Sequence, residues 1–298
     1  MTPAPPRQGL PLRFGYGTNG FSNHSLDDTL TVLTDLGYDG VALTLDHAHL
    51  NPFDAGLARR VSALRARLDD AGLAVVVETG ARYLLDPWHK HEPTLLTGDD
   101  DGRKRRLDFL ERAATVAADL GAEAVSFWSG ILPDDVPEEH GWRLLADGCA
   151  RLVDTAERLG VQLGFEPEPG MLVGTLNDFE RLHATLGRPG ALGLTLDIGH
   201  CQCLEPNPVV ECVLRGGPLL ANVQIEDMRR GLHEHLMFGE GEIDFPPVLA
   251  ALAECGYSGL ISVELPRSGH AAPQLARQSL AFLREASTLA TDYVGSLR

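Results

Sequence analysis

The sequence predicts an α/β protein built as a single (β/α)8 TIM barrel. Three observations lead there. A helical stretch that ends in Gly, followed by a short turn and then a β-branched or apolar run, recurs at 35–45, 70–79, 119–128, 158–168 and 254–264, with a weaker copy at 186–197. Gly at that place is the left-handed cap that releases a helix toward the next strand. The runs are short and continuously apolar, as strands of a parallel sheet covered on both faces must be. The 298 residues accommodate eight such strands alternating with helices without a long linker, and α/β barrels commonly run to about 250 residues as one domain.

The elements follow in order. The first strand lies within RFGYGTNGF (13–21), preceded by a flexible N-terminal segment over 1–12; the barrel takes up 13–298. GYGTNG is Gly-rich but lacks the G-x-G-x-x-G spacing with which an open dinucleotide-binding sheet cradles a phosphate. Helices are read from Leu26 to Leu36, Gly56 to Asp70, Arg103 to Leu120, Gly141 to Leu159, Leu176 to Leu186, Pro208 to Leu214, Phe245 to Glu254 and Pro273 to Leu289. Their apolar positions recur at helical spacing, as in Leu107, Leu110, Ala114 and Ala117. Ser25 with Asp28, and Asn177 with Glu180, resemble helix-capping pairs. A seventh strand falls in LLANVQIED (219–227).

Composition excludes several function classes. Hydrophobic residues make up 44% and charged residues 22%, so the chain can bury a sizeable core. No apolar run reaches the roughly 18 residues a membrane helix needs, and MTPAPPRQGLPLRF lacks a signal-peptide core; a cytoplasmic protein is expected. Lys+Arg number 25 against 42 Asp+Glu, a net −17 that repels nucleic-acid phosphates and anionic membranes. Five cysteines without C-x-x-C spacing point to reduced thiols.

A barrel builds its active site at the C-terminal ends of its strands. Those ends carry Asp46-His47, Glu78, Trp128-Ser129, Glu166, Asp197 with His200, Gln224 to Asp227, and Glu264. Carboxylates converging at one mouth repel each other, and a bound cation is the simplest way to keep several ionised. Asp46 and Glu78, taken singly, read as turn or cap residues. Glu166, Asp197 and Glu264 each end a run too apolar to finish casually in a carboxylate, and they are expected to share a metal. His200, three after Asp197, and His235, in the loop after strand seven, are candidate site residues; His233 reads as solvated. Phe165 is expected in the core, and the insert bearing Trp88 is a candidate lid.

At this point FEPEPG, LDIGH, VQIED, HEHLMFGEGEID and SVELPR together make the chain resemble the xylose-isomerase-like barrel superfamily, in its sugar phosphate isomerase/epimerase branch, over 13–290. The resemblance implies one divalent metal ion (Mn, Mg, Co or Zn) held by Glu166, Asp197, Gln224 and Glu264. Relatives carry His where this chain has Gln224, whose neutral amide oxygen suits zinc less well than imidazole does. It also implies Glu166 and Glu264 as the acid–base pair of an isomerase or epimerase acting on a sugar, sugar phosphate or polyol ketone through an enediolate. His200, His235, Glu78, Trp128, Arg229 and Arg267 are the expected substrate-binding residues, with Arg230 a further candidate. A small-molecule substrate is expected as partner, with no nucleic acid or membrane, and relatives are commonly homo-oligomers. Alternative readings are an inosose-dehydratase-like lyase, a non-catalytic sugar-binding barrel, and a phosphodiesterase like the apurinic-site endonucleases. His200 and His235 match metal positions of that last group, whereas Gln224 and His233 replace others.

Overall fold

Eight parallel strands close on themselves in the computed structural model, which describes residues 9–294. They are β1 (Arg13–Gly17), β2 (Gly40–Thr44), β3 (Ala74–Glu78), β4 (Val125–Phe127), β5 (Leu163–Phe165), β6 (Leu192–Asp197), β7 (Leu220–Ile225) and, after a two-stranded hairpin, β10 (Leu260–Val263). Sequence neighbours pair all the way round, and β10 closes the ring against β1 through the register Tyr16 with Val263. The hairpin, β8 (Asp227–Arg229) and β9 (Leu232–Leu236), is antiparallel and stands outside the barrel sheet. The helices are α1 (Leu26–Leu36), α2 (Leu57–Ala71), α3 (Asp100–Leu120), α4 (Glu138–Leu159), α5 (Leu176–Thr185), α6 (Ile198–Leu204), α7 (Val209–Gly216), α8 (Phe245–Glu254) and α9 (Ala272–Leu289).

The repeated turn glycines do what their spacing requires: Gly37, Gly72, Gly121, Gly160, Gly187 and Gly256 all have positive φ. Leu107, Leu110, Ala114 and Ala117 are buried in α3 against the sheet. Two helices begin earlier than their apolar patterns suggest. Asp99 caps α3 by accepting from Gly102 N, and its first turn holds Asp100 and Asp101, whose charge suits a helix N-terminus. Ahead of α4, Pro137 sets the entry, with Glu138 and Glu139 in the first turn. Ser25 caps α1 as expected. At α5 the cap is Thr175 with Asp178, a complete reciprocal box two residues before the expected pair; Asn177 and Glu180 instead accept hydrogen bonds from Arg215.

Two elements are additions to the expected eight-unit repeat. Asp197 accepts from His200 N at 2.8 Å, so the chain leaves β6 directly into α6. The segment expected to be an irregular loop after strand seven forms the β8–β9 hairpin. Of the N-terminal segment, 1–8 lie outside the described residues, while Leu12 is buried in the core and Leu10 packs beside it. Residues 295–298 also lie outside. The five cysteines are free, and no described helix is long and apolar enough to cross a membrane.

Near the mouth the barrel interior turns polar. Thr195 Oγ1 donates to Ser126 Oγ at 3.1 Å, and Ser126 Oγ to Glu166 Oε2 at 3.5 Å. Gly164 makes room for this: a Cβ there would stand 2.3 Å from Thr195 Oγ1. Gly164→Ala is therefore expected to destabilise the fold by about 1–3 kcal/mol, the usual range for overpacking, measured by urea unfolding of both proteins.

Candidate active site

The strand register sets the site. Asp197 on β6 lies beside Gln224 on β7, and Gln224 beside Ser262 on β10, two residues before Glu264. Glu78 closes β3 next to Ser126 on β4. Glu166 follows β5, anchored by its N–H to Phe127 O at 2.8 Å. Glu78, Glu166, Gln224 and Glu264 converge on a cavity of about 330 Å3, lined also by Trp128, Glu168, His200, His233, His235 and Arg267.

Each carboxyl has a defined partner or a telling lack of one. Asn19 Nδ2 donates to Glu264 Oε1 at 2.8 Å, and Asn222 Nδ2 to Glu78 Oε1 at 3.2 Å. Asp197 Oδ1 takes the His200 N–H, while Oδ2 is buried without an N–H donor. Gln224 Oε1 is likewise buried and unpartnered. Such oxygens are costly to leave in a dry interior, and their aim into one cavity fits a cation. One donor atom each from Glu166, Asp197 and His200 lies within 4.8 Å of the others, and the same holds for Asp197, Glu226, His235 and Glu264, and for His200, His233 and His235.

The electrostatics follow from burial and crowding. Burial pushes the Glu78 carboxyl up to about 8, with the nearby Glu264 charge adding to it. Glu168 is driven up to about 8 by burial and by Glu264. Glu166 and Glu226 are also raised by burial and by their acidic neighbours, Glu168 first for Glu166 and Asp197 first for Glu226. Glu264 is raised by burial, with His235 acting against the rise. Asp197 is the exception: burial pushes it up, but His200, His235 and the hydrogen bonds it accepts hold it below the ordinary range. His200 is lowered to about 4 by burial, so its imidazole is neutral. Its Nδ1 lies 3.3 Å from Pro167 O, and its Nε2 3.0 Å from His233 Nε2.

A family model described as "Xylose isomerase-like TIM barrel" matches residues 30–286. The chain belongs to the xylose isomerase-like TIM-barrel family. Among the relatives of this family member is "L-ribulose-5-phosphate 3-epimerase UlaE" of Salmonella paratyphi C, 27% identical over 240 residues, 80% of this chain and 81% of that one. A solved structure of L-ribulose 3-epimerase superposes with a TM-score of 0.77 at 21% identity, covering 94% of this chain and 96% of that one. The IOLI protein, solved with a bound zinc atom, gives a TM-score of 0.72 at 19% identity over 95% of this chain and 100% of that one. The xylose isomerase-like chain thus has sugar epimerases among its relatives.

Most of the expected site residues meet. Glu78, Trp128, Glu166, His200, Gln224, His235, Glu264 and Arg267 line the one cavity, and Asp197 sits beneath it. Arg229 is not brought in: it lies 3.5 Å from Glu234 and donates to Glu240 O, outside the cavity lining. Arg230 is drawn to Glu205 O. Asp46 caps its own turn, accepting from the backbone of Ala48 and His49. Phe165 is fully buried against Phe127 and Phe179. Trp88 is 84% exposed, but Arg82, Tyr83, Lys90 and His91 from the same insert reach the cavity rim.

In the sequence Glu168 and Glu226 carry no site role and His233 reads as solvated, whereas Glu168 and His233 line the cavity and Glu226 lies among the buried acids. A period-two signal was available for the acids: Glu168 follows Glu166 by two and Glu226 follows Gln224 by two, the spacing that puts side chains on one face of an extended chain. Because Glu78 sits at about 8 in the folded chain against an ordinary 4.5, its protonated form favours folding; that contribution is complete below about 4.5 and is lost as pH rises through about 8. After chelator treatment the protein is expected to lose stability between pH values of about 4.5 and 8, and Glu78→Gln to lose less, as read by urea unfolding at both ends.

Proposed function

We propose that the protein is a divalent-metal-dependent sugar epimerase or isomerase that moves a proton next to the carbonyl of a ketose-type substrate. The observation that carries this reading is that Glu166, Gln224 and Glu264 line one cavity with Asp197 beside Gln224, and that Asp197 Oδ2 and Gln224 Oε1 are buried without an N–H donor. Asp197 and Glu264 would supply oxygen donors to a cation there, with Glu166 and Gln224 beside them. A cation bound there supplies Lewis-acid polarisation of a carbonyl and compensates negative charge that develops beside it. Kinship with sugar epimerases supports the substrate class.

The chain's own groups supply the rest. Glu166 and Glu264 stand on different strands at the cavity and serve as base and acid, one removing the α-proton and the other returning one to the enediolate. Without a cation burial raises both, and a cation bound beside them would favour their ionised forms. Asn19 orients Glu264, and Ser126 orients Glu166. His200 and His235 face the substrate's hydroxyls, Glu78 lies deeper as a protonated hydrogen-bond donor, and Arg267 at the rim pairs with an electronegative substrate end. Trp128 offers an apolar wall to a sugar ring, its indole backed by Arg106 at 4.4 Å.

The test is proton exchange in heavy water. A panel of free and phosphorylated ketoses, incubated with the Mn(II)-loaded protein, is expected to gain one deuterium next to the carbonyl, read by mass spectrometry. Glu166→Gln and Glu264→Gln should each slow this by roughly 100- to 10,000-fold, the usual worth of a positioned acid–base group. Loss of water from the substrate would make the protein a dehydratase instead, and binding without any exchange would overturn the catalytic reading.

A further inference from the structure

Gln224 offers a cation only a neutral amide oxygen, neither charge nor a nitrogen donor. We infer that this chain supplies both from elsewhere: Glu226 and His235 join Asp197 and Glu264 as the cation's ligands, giving the charge and the nitrogen that Gln224 lacks. This rests on the proposed cation site but changes which side chains hold it.

Four observations lead there. One donor atom from each of Asp197, Glu226, His235 and Glu264 lies within 4.8 Å of all the others. Donors bound to one ion at roughly 2.0–2.4 Å stand no more than roughly 4–5 Å apart, so the four are compatible with a single centre. Second, their free atoms match that arrangement. Glu226 is fully buried with no N–H donor on either carboxylate oxygen, its hydrogen-bonding neighbour being the Asp197 carboxyl, and His235 Nδ1 is buried without a partner. His235 Nδ1 and Glu226 Oε1 face each other at 3.8 Å.

Third, the backbone is shaped to admit Glu226. A Cβ on Gly199 would stand 2.0 Å from Glu226 Oε1, so the glycine of LDIGH is what leaves space for that carboxylate beside Asp197. Fourth, the hairpin that carries His235 is pinned. Asp227 accepts from Gly239 N at 2.8 Å, Gly241 N at 2.9 Å and Ile243 N at 3.1 Å, tying the chain after β9 back to the strand that bears Glu226. A Cβ at Gly241 would lie 2.2 Å from Asp227 Oδ1, which gives the second glycine of GEG its reason.

Three carboxylates and one imidazole form a mixed oxygen–nitrogen set. Such a set favours Mn(II), Co(II) or Zn(II) over Mg(II), which prefers oxygen ligands and keeps its waters. The experiment uses the full-length protein stripped with chelator and reloaded with Mn(II), without substrate. Pulsed electron paramagnetic resonance of bound Mn(II) is expected to show coupling to a histidine nitrogen in the wild type and none in His235→Gln. Calorimetry should give a Kd for Mn(II) raised by roughly 10- to 100-fold or more in His235→Gln and in Glu226→Gln, the latter keeping the nitrogen coupling, against less than about threefold in Gln224→Ala. Circular dichroism of each variant checks that it is folded, and the wild-type spectrum needs no variant.

Absence of nitrogen coupling in the wild type overturns the inference, as does coupling that survives His235→Gln. Coupling lost instead in His200→Gln or His233→Gln overturns it in favour of the three-histidine cluster. These readouts do not depend on turnover: a nitrogen-coupled Mn(II) with no deuterium exchange upholds this ligand set and overturns the epimerase reading, whereas exchange without nitrogen coupling does the reverse.

Discussion

Everything at the mouth of this barrel is constrained by the repulsion of carboxylates held out of water. Glu78, Glu166 and Glu264 line one cavity, and the buried Asp197 and Glu226 each hold a carboxylate oxygen within 4.8 Å of one of Glu264's. Unsolvated like charges at such spacing cannot all be ionised without a compensating cation. The chain divides the burden unequally. Asp197 is kept anionic by the His200 N–H and by two nearby imidazoles, while its neighbours are driven toward the protonated form. Admitting a cation therefore means expelling protons, and the site's readiness for metal is tied to its acid–base state.

The rim works in the opposite direction from the floor. Arg82, Lys90 and Arg267 reach the cavity in a chain whose net charge is −17. Arg82 is fixed by donating to Asn19 O and Pro266 O, and its charge draws Glu264 downward. Lys90 is itself lowered by partial burial and by Arg82 and Arg267. The loop that carries Arg82 and His91 holds three non-glycine residues, Ala81, Arg82 and His91, at positive φ. Backbone strain of this kind persists only where surrounding contacts enforce it, and here it sets cationic groups over an acidic floor.

The barrel was legible because its signal is repeated. Each left-handed glycine between a helix and an apolar run marks one turn, and six such turns leave few architectures open. Glu166, Asp197 and Glu264 were legible because strand ends in a barrel share one mouth. What stayed hidden depended on contacts between elements distant in sequence. Nothing local shows that Arg229 is captured by Glu234, that Arg106 lies buried under Trp128, or that the hairpin turns His233 toward His200. The capping pair at α5 failed for a local reason: Thr175–Asp178 and Asn177–Glu180 share the same spacing, and only the first closes reciprocal bonds.

LDIGH shows how closely fold and site are joined. Asp197 ends a strand, and one of its oxygens starts α6 by accepting from His200 N, which leaves its other oxygen facing the cavity. The helix that this cap begins carries His200 back over Asp197, where Nδ1 is directed at Pro167 O and Nε2 at His233 Nε2. A ring nitrogen that donates to a backbone carbonyl fixes the tautomer and leaves the other as a lone pair. Gly199 between them keeps the space that Glu226 occupies. Replacing Asp197 would therefore remove a helix cap, a histidine's placement and a buried anion together, so its loss in an activity assay alone assigns no role to it. Glu226 and His235 also act on Asp197, but neither makes the hydrogen bond that caps α6, so changes there leave that cap in place.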